Sequence, residues 1–147
     1  MNFRQTMHQS RAGQQGVMLL EALIGILIFS VGILAVVGMQ AMAVKTAAES
    51  KYRMDASLYA NEIIGIMWLN KSTLSSFSTT SGSSPAQMTQ WQQRLERALP
   101  GVVQNPPTIQ IDSGNVVTVT IFWQHPEEAN QASPPDPHSY RTITSIN

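Results

Sequence analysis

Glu21 is the only charged residue between Ala12 and Val44. From Val17 to Met39 the chain is apolar apart from Glu21 and Ser30. A carboxylate inside hydrocarbon is costly, and acids found in such settings are usually functional. The plainer alternative is a glutamate at a membrane edge whose carboxylate reaches into the headgroups. The other residues able to do chemistry are few. The histidines are His8, His125 and His138, and the last two flank a proline-rich loop that also holds Glu127, Glu128 and Asp136. A metal centre there would need both histidines and an acid to converge. The expectation is instead solvated loop residues, with no metal and no cofactor. There is no cysteine, which removes disulfides, zinc-thiolate sites and cysteine nucleophiles together. No glycine-rich phosphate loop and no nucleophile elbow is present. Asn70-Lys71-Ser72 matches a glycosylation sequon, a three-residue pattern common by chance. The residues therefore do not point to an enzyme.

The elements that must carry these groups can be read from patterning. The chain has 147 residues, 43% hydrophobic and 12% charged, with zero formal net charge. The basic residues are scattered, so nothing suggests a nucleic-acid binder. As a helix, Val17–Met39 would extend roughly 35 Å at about 1.5 Å per residue, enough to cross a hydrocarbon core about 30 Å thick. The charges around this segment conflict. Arg4 and Arg11 before it favour a cytoplasmic N-terminus, whereas Lys45, Lys51 and Arg53 soon after it count against one. No proline interrupts 17–70, so 40–69 reads as a continuation of the same helix, with Gly32 and Gly38 as points where it could loosen. At 100° per residue this continuation carries two apolar stripes. Ala43, Ala47, Met54, Leu58, Gly65 and Trp68 form one. Tyr52, Tyr59, Ile63 and Ile66 form the other, almost opposite. One small domain needs only one stripe, so one is expected to pack on the domain and the other to remain exposed.

Residues 70–84 are dominated by Ser and Thr and read as a loop. Ser84-Pro85-Ala86-Gln87 then reads as a helix start, with serine as cap and glutamine closing a capping box. Met88, Trp91, Leu95 and Leu99 supply one apolar face, and Pro100-Gly101 ends the helix. Thr108–Ile111, a turn at Asp112-Ser113-Gly114-Asn115, and Val116–Trp123 read as an antiparallel hairpin, the second run being almost wholly β-branched or aromatic. Tyr140–Ile146 reads as a final strand. The sum is an α+β protein: a long helix and a small antiparallel sheet, with 85–147 as the globular region. Val116–Trp123 and Tyr140–Ile146 are expected to be the sheet edges.

Gly16-Val17-Met18-Leu19-Leu20-Glu21, followed by the apolar run, resembles the type IV prepilin signal. The resemblance extends through Gly32-Ile33-Leu34-Ala35, Leu99-Pro100-Gly101, Val117–Trp123 and Tyr140-Arg141 to the PilV family of minor pilins, the type IV pilus modification proteins. It covers essentially the whole chain. It implies a pilin-like fold, with 1–16 a leader that a prepilin peptidase removes between Gly16 and Val17. The same enzyme would methylate the new amine of Val17, a departure from the family's usual phenylalanine. It further implies that Glu21 pairs with the N-terminal amine of a neighbouring subunit and sets the axial offset between subunits. The implied partners are the peptidase, the major pilin, other minor pilins and the inner-membrane assembly platform. The implied location is the bacterial inner membrane, single-pass, with a cytoplasmic leader and periplasmic C-terminal domain, and then the pilus. Major pilins often carry a C-terminal disulfide, which this chain cannot form, and that favours a minor pilin. A type II secretion pseudopilin shares the signal and much of the fold. A more distant alternative is ordinary signal cleavage after Ala41-Met42-Ala43, releasing a secreted binding module.

Overall fold

The computed structural model describes residues 14–82 and 84–147. The leader positions Arg4, His8 and Arg11 lie outside the described residues. Helix α1 runs Gln14–Leu69 without a break, as an uninterrupted, proline-free sequence dictates. Gly32 and Gly38 remain helical. The chain divides into two compact units, one ending at Thr46 and the other running Ala47–Asn147, and α1 contributes to both.

In the first unit α1 is apolar on every side and its large side chains are exposed, among them Leu20, Leu27, Phe29 and Leu34. This part of α1 is long and apolar enough to cross a membrane. Its one hydroxyl between Val17 and Met39 is satisfied locally, Ser30 Oγ donating to the Ile26 carbonyl at 2.7 Å, as an apolar surrounding requires.

The second unit is built on a three-stranded antiparallel meander of β1 (Thr108–Ile111), β2 (Val116–Trp123) and β3 (His138–Ser145), in the order β1-β2-β3. The register pairs Ile111 with Val117, Val116 with Ser145, and Trp123 with His138. The first hairpin is set by Asp112, whose Oδ1 accepts from the backbone N–H of Gly114 and Val116, each at 2.9 Å. Asn115 there takes φ 56°, a left-handed conformation that asparagine tolerates. β2 alternates strictly, burying Val117, Val119, Ile121 and Trp123. They meet Ala56, Ala60, Ile63 and Met67 of α1 and Met88, Trp91 and Leu95 of α2 (Ala86–Ala98) in one core. Trp91 ties the two helices, its indole N–H donating to the Tyr59 carbonyl at 2.9 Å, and Arg94 pairs with Glu62 across the same seam.

The two-stripe reading of 40–69 holds for the second unit. Tyr52, Tyr59, Ile63 and Ile66 lie on the core side, while Met54, Leu58 and Trp68 are exposed. The centre of the buried stripe is Ala56, Ala60, Ile63 and Met67, all at 0% exposure. Alanine is a weak hydrophobic marker, yet at these positions it permits close approach of the helix to the domain.

Three expectations need correction. Val116–Trp123 is not a sheet edge: β2 is central, paired with β3 along its full length and with β1 at Val117–Thr120. Its β-branched and aromatic side chains suit a strand flanked on both sides. The edges are β1 and β3. The outer side of β1 is met by Thr79, whose N–H donates to the Ile109 carbonyl at 3.0 Å and whose Oγ1 accepts from the Ile109 N–H at 3.2 Å. Secondly, 70–84 is more than a loop. Lys71–Phe77 is 3-10 helical, broken at Thr73, and buries Leu74 and Phe77. Two large apolar anchors outweigh a composition that otherwise signals a loop. Thirdly, α2 has no side-chain cap. Pro85 is its N-cap, and the Pro85 carbonyl accepts from the Met88 and Thr89 N–H at 2.9 and 3.2 Å. The expected capping box therefore does not form. The helix ends as expected, before Gly101 at φ 78°, where an added Cβ would come within 3.0 Å of the Gln124 backbone nitrogen. Gln124 N–H donates to the Pro100 carbonyl at 3.0 Å across this close approach.

Candidate functional site

The residues that carry the signal resemblance and the residues that converge in the structure are different sets. Gly16, Val17 and Glu21 lie in the first turns of α1, all exposed. Val17 and Glu21 are four residues apart and so share a face. Among the described residues Glu21 has no hydrogen-bond or ion-pair partner, and it stands amid exposed Met18, Leu19, Leu20, Leu23 and Ile24. A Cβ at Gly16 would meet nothing within 4 Å. Packing within this chain therefore does not demand glycine at that position.

A second group assembles within the Ala47–Asn147 unit. His125 follows the end of β2, His138 opens β3, and Glu49 comes from α1. Their ligating atoms all lie within 4.8 Å of one another. His125 Nε2 is 2.9 Å from Glu49 Oε2, and His138 Nδ1 is 3.5 Å from Glu49 Oε1. Glu128, on the short helix α3 (Pro126–Ala129), places Oε2 at 3.1 Å from His138 Nε2. The indole N–H of Trp123 donates to Glu49 Oε2 at 3.3 Å.

The surroundings are aromatic. Trp123 stacks on His138 at 5.9 Å between centroids with 16° between planes, and Tyr52 meets His125 edge-on at 5.2 Å. His125, Gln124 and Glu128 are each only 9% exposed. Gln124 donates from Nε2 to the Pro135 carbonyl at 2.9 Å, tethering the proline-rich segment between β2 and β3.

The expectation of solvated loop histidines is thus overturned. Register explains it: pairing Trp123 with His138 brings the two ends of the proline-rich segment side by side, and His125 lies just beyond Trp123. Glu127 and Asp136, the other acids of that segment, are exposed. Glu49 was missed because it lies far away in sequence. A signal was present, however. Counting at 100° per residue, Glu49 falls on the same helix face as Tyr52, Ala56, Ala60 and Ile63, so it is an acid on the stripe that packs against the domain.

The electrostatics follow from the contacts. Partial burial is the largest single influence on the Glu49 carboxyl and opposes its ionisation. The hydrogen bonds from His125 and Trp123, helped by the electrostatic influence of the neighbouring His138 and His125 rings, together outweigh burial and hold it below its ordinary value. Glu49 is therefore a committed carboxylate. Two imidazoles and a carboxylate converging on one point form a donor set that zinc and related ions take. Without a cation the same set ties α1 to one end of the sheet.

No protein-family model, no curated protein and no solved structure matches this chain.

Proposed function

We propose that this chain is a filament subunit of the prepilin class. Within that class it acts as a minor pilin of the PilV type, processed between Gly16 and Val17 and carried into a type IV pilus. One observation carries the reading: a glycine, a lone carboxylate five residues later, and an apolar helix that continues without a break into an amphipathic segment packed on a small antiparallel sheet. A membrane anchor alone needs neither the glycine nor the buried-phase acid. A filament of packed helices uses both. The glycine admits the peptidase, and Glu21 offers a partnerless carboxylate to the Val17 amine of a neighbour in a dry core, where a charge needs a counter-charge.

In this role the apolar surface of α1 up to Val44 is covered first by lipid and then by neighbouring helices. The exposed Met54, Leu58 and Trp68 stripe supplies contacts beyond the membrane. The partners are prepilin peptidase, the major pilin, other minor pilins and the assembly platform of the inner membrane. The subunit helps to start assembly and does no catalysis.

The test has two arms. Mass spectrometry of membrane-extracted protein should find a mature chain beginning at N-methylated Val17. Glu21→Ala should be cleaved and inserted normally yet be depleted from sheared pili. An intact Met1 terminus in cells with active prepilin peptidase would sink the reading, and wild-type abundance of Glu21→Ala in pili would refute the pairing role.

A further inference from the structure

We infer that Glu49, His125 and His138 form a binding site for a divalent late first-row transition ion of the zinc class. Glu49 supplies its carboxylate, His125 its Nε2 and His138 its Nδ1.

The argument starts from His138. Its Nε2 lies 3.1 Å from Glu128 Oε2 and its Nδ1 lies 3.5 Å from Glu49 Oε1. A neutral imidazole has one N–H. If that N–H donates to Glu128, the shorter contact, then the Nδ1 lone pair points at the Glu49 carboxylate. Two electron-rich atoms face each other there unless Nδ1 is itself protonated or a metal cation lies between them. The spacing suits one: with metal–ligand bonds of about 2.0–2.1 Å, neighbouring ligands of a tetrahedral centre stand roughly 3.4 Å apart. His125 Nε2 approaches the other oxygen of the same carboxylate at 2.9 Å, and the His125 and His138 rings meet edge to face, 5.8 Å between centroids. The two nitrogens can thus address one point beside Glu49 with only small side-chain rotations.

The groups behind the ligands have the arrangement a metal site needs. A ligating histidine commonly donates its second ring N–H to a carboxylate, which fixes the ring and raises its basicity. Glu128 is placed to do this for His138, and it is nearly buried. The Trp123 N–H holds the Glu49 carboxylate, and the Trp123 ring backs His138. Entry is open from the solvent side, where the side chains of Glu49 and His138 are 34% and 37% exposed. Three protein ligands leave a fourth position for water or for a group from another molecule. The ion would pin α1 at Glu49 to the adjoining ends of β2 and β3.

This inference is independent of the pilin reading, because it uses none of the residues of the first unit. The test uses the full chain in detergent, purified without a histidine tag, stripped with chelator, and carrying His8→Ala to remove the leader histidine. Equilibrium dialysis against micromolar zinc chloride should leave one zinc per chain, with a raised melting temperature. His125→Gln, His138→Gln and Glu49→Gln should each weaken binding by about 10-fold or more, and Glu128→Gln by about 10-fold. In case a variant misfolds, the unaltered ligand set is also probed with cobalt chloride. Visible d–d bands of four- or five-coordinate cobalt, abolished by excess zinc, are expected. Absence of both stoichiometric zinc and the cobalt bands would overturn the site and leave a set of side-chain ion pairs. Equal zinc affinity in folded His125→Gln and His138→Gln would overturn the ligand assignment.

Discussion

Up to Val44, helix α1 exposes Leu23, Leu27, Phe29 and Leu34, whereas Ala56, Ala60, Ile63 and Met67 farther along the same helix are wholly buried. The chemistry of the side chains does not explain the contrast, since the exposed set is the more hydrophobic. What differs is the periodicity. In 17–39 apolar residues occupy all faces, so no single small domain could cover them. In 47–69 polar residues such as Lys51, Arg53, Asp55 and Asn61 alternate with apolar ones, and one face can be satisfied by a sheet and a second helix. A helix apolar all round requires lipid or other helices, and a helix with one apolar stripe requires a domain. The stripe of Met54, Leu58 and Trp68 sits between these cases: it belongs to the packed part of the helix yet is left uncovered.

Three substitutions probe this contrast. Trp91→Ala removes a fully buried side chain and its bond to Tyr59, and should cost the globular unit about 3–5 kcal/mol, measured by chemical denaturation of the full chain in detergent. A loss below about 1 kcal/mol would mean that the core collapses around the void.

Glu49→Gln should cost about 1 kcal/mol or less at neutral pH, since the carboxylate is partly solvated and such pairs contribute little. The effect should depend on pH in a definite direction. The folded-state value of Glu49 lies below its unfolded value, so its contribution is fully present above about pH 4.3 and is lost as pH falls through the folded value. Thermal melts of both proteins should therefore differ at pH 6 and converge in strong acid. A gap that widens on acidification would contradict the assigned direction.

Leu58→Ser should have the smallest effect on the isolated chain, within about 0.5 kcal/mol, because Leu58 is 65% exposed. Leu58 and Trp91 thus make a pair in which the same kind of apolar deletion is nearly silent on one face and severe in the core. A large destabilisation at Leu58 would show that the outer stripe is covered within the chain.

Much of this protein is determined by local sequence. The length and continuity of α1 follow from a proline-free stretch in which helical apolar periodicity continues past the wholly apolar run. The first hairpin follows from a β-branched strand beside a turn whose aspartate accepts from nearby backbone N–H groups, and the apolar face of α2 from its three- and four-residue spacing. Each depends on neighbours a few positions away, so periodicity and turn chemistry suffice. The 3-10 turns at Lys71–Phe77 were hidden because only two residues, Leu74 and Phe77, anchor them. Which strand is central depended on two pairings at once, and strand propensity alone says how well a segment fits a sheet, not how many neighbours it has. That Glu49, His125, His138 and Glu128 converge was decided by the tertiary structure. These residues come from a long helix, the link just after a strand, a strand start and a short helix. Only the register of Trp123 on His138, with the packing of α1 on the sheet, brings their side chains within hydrogen-bonding and ion-pairing range.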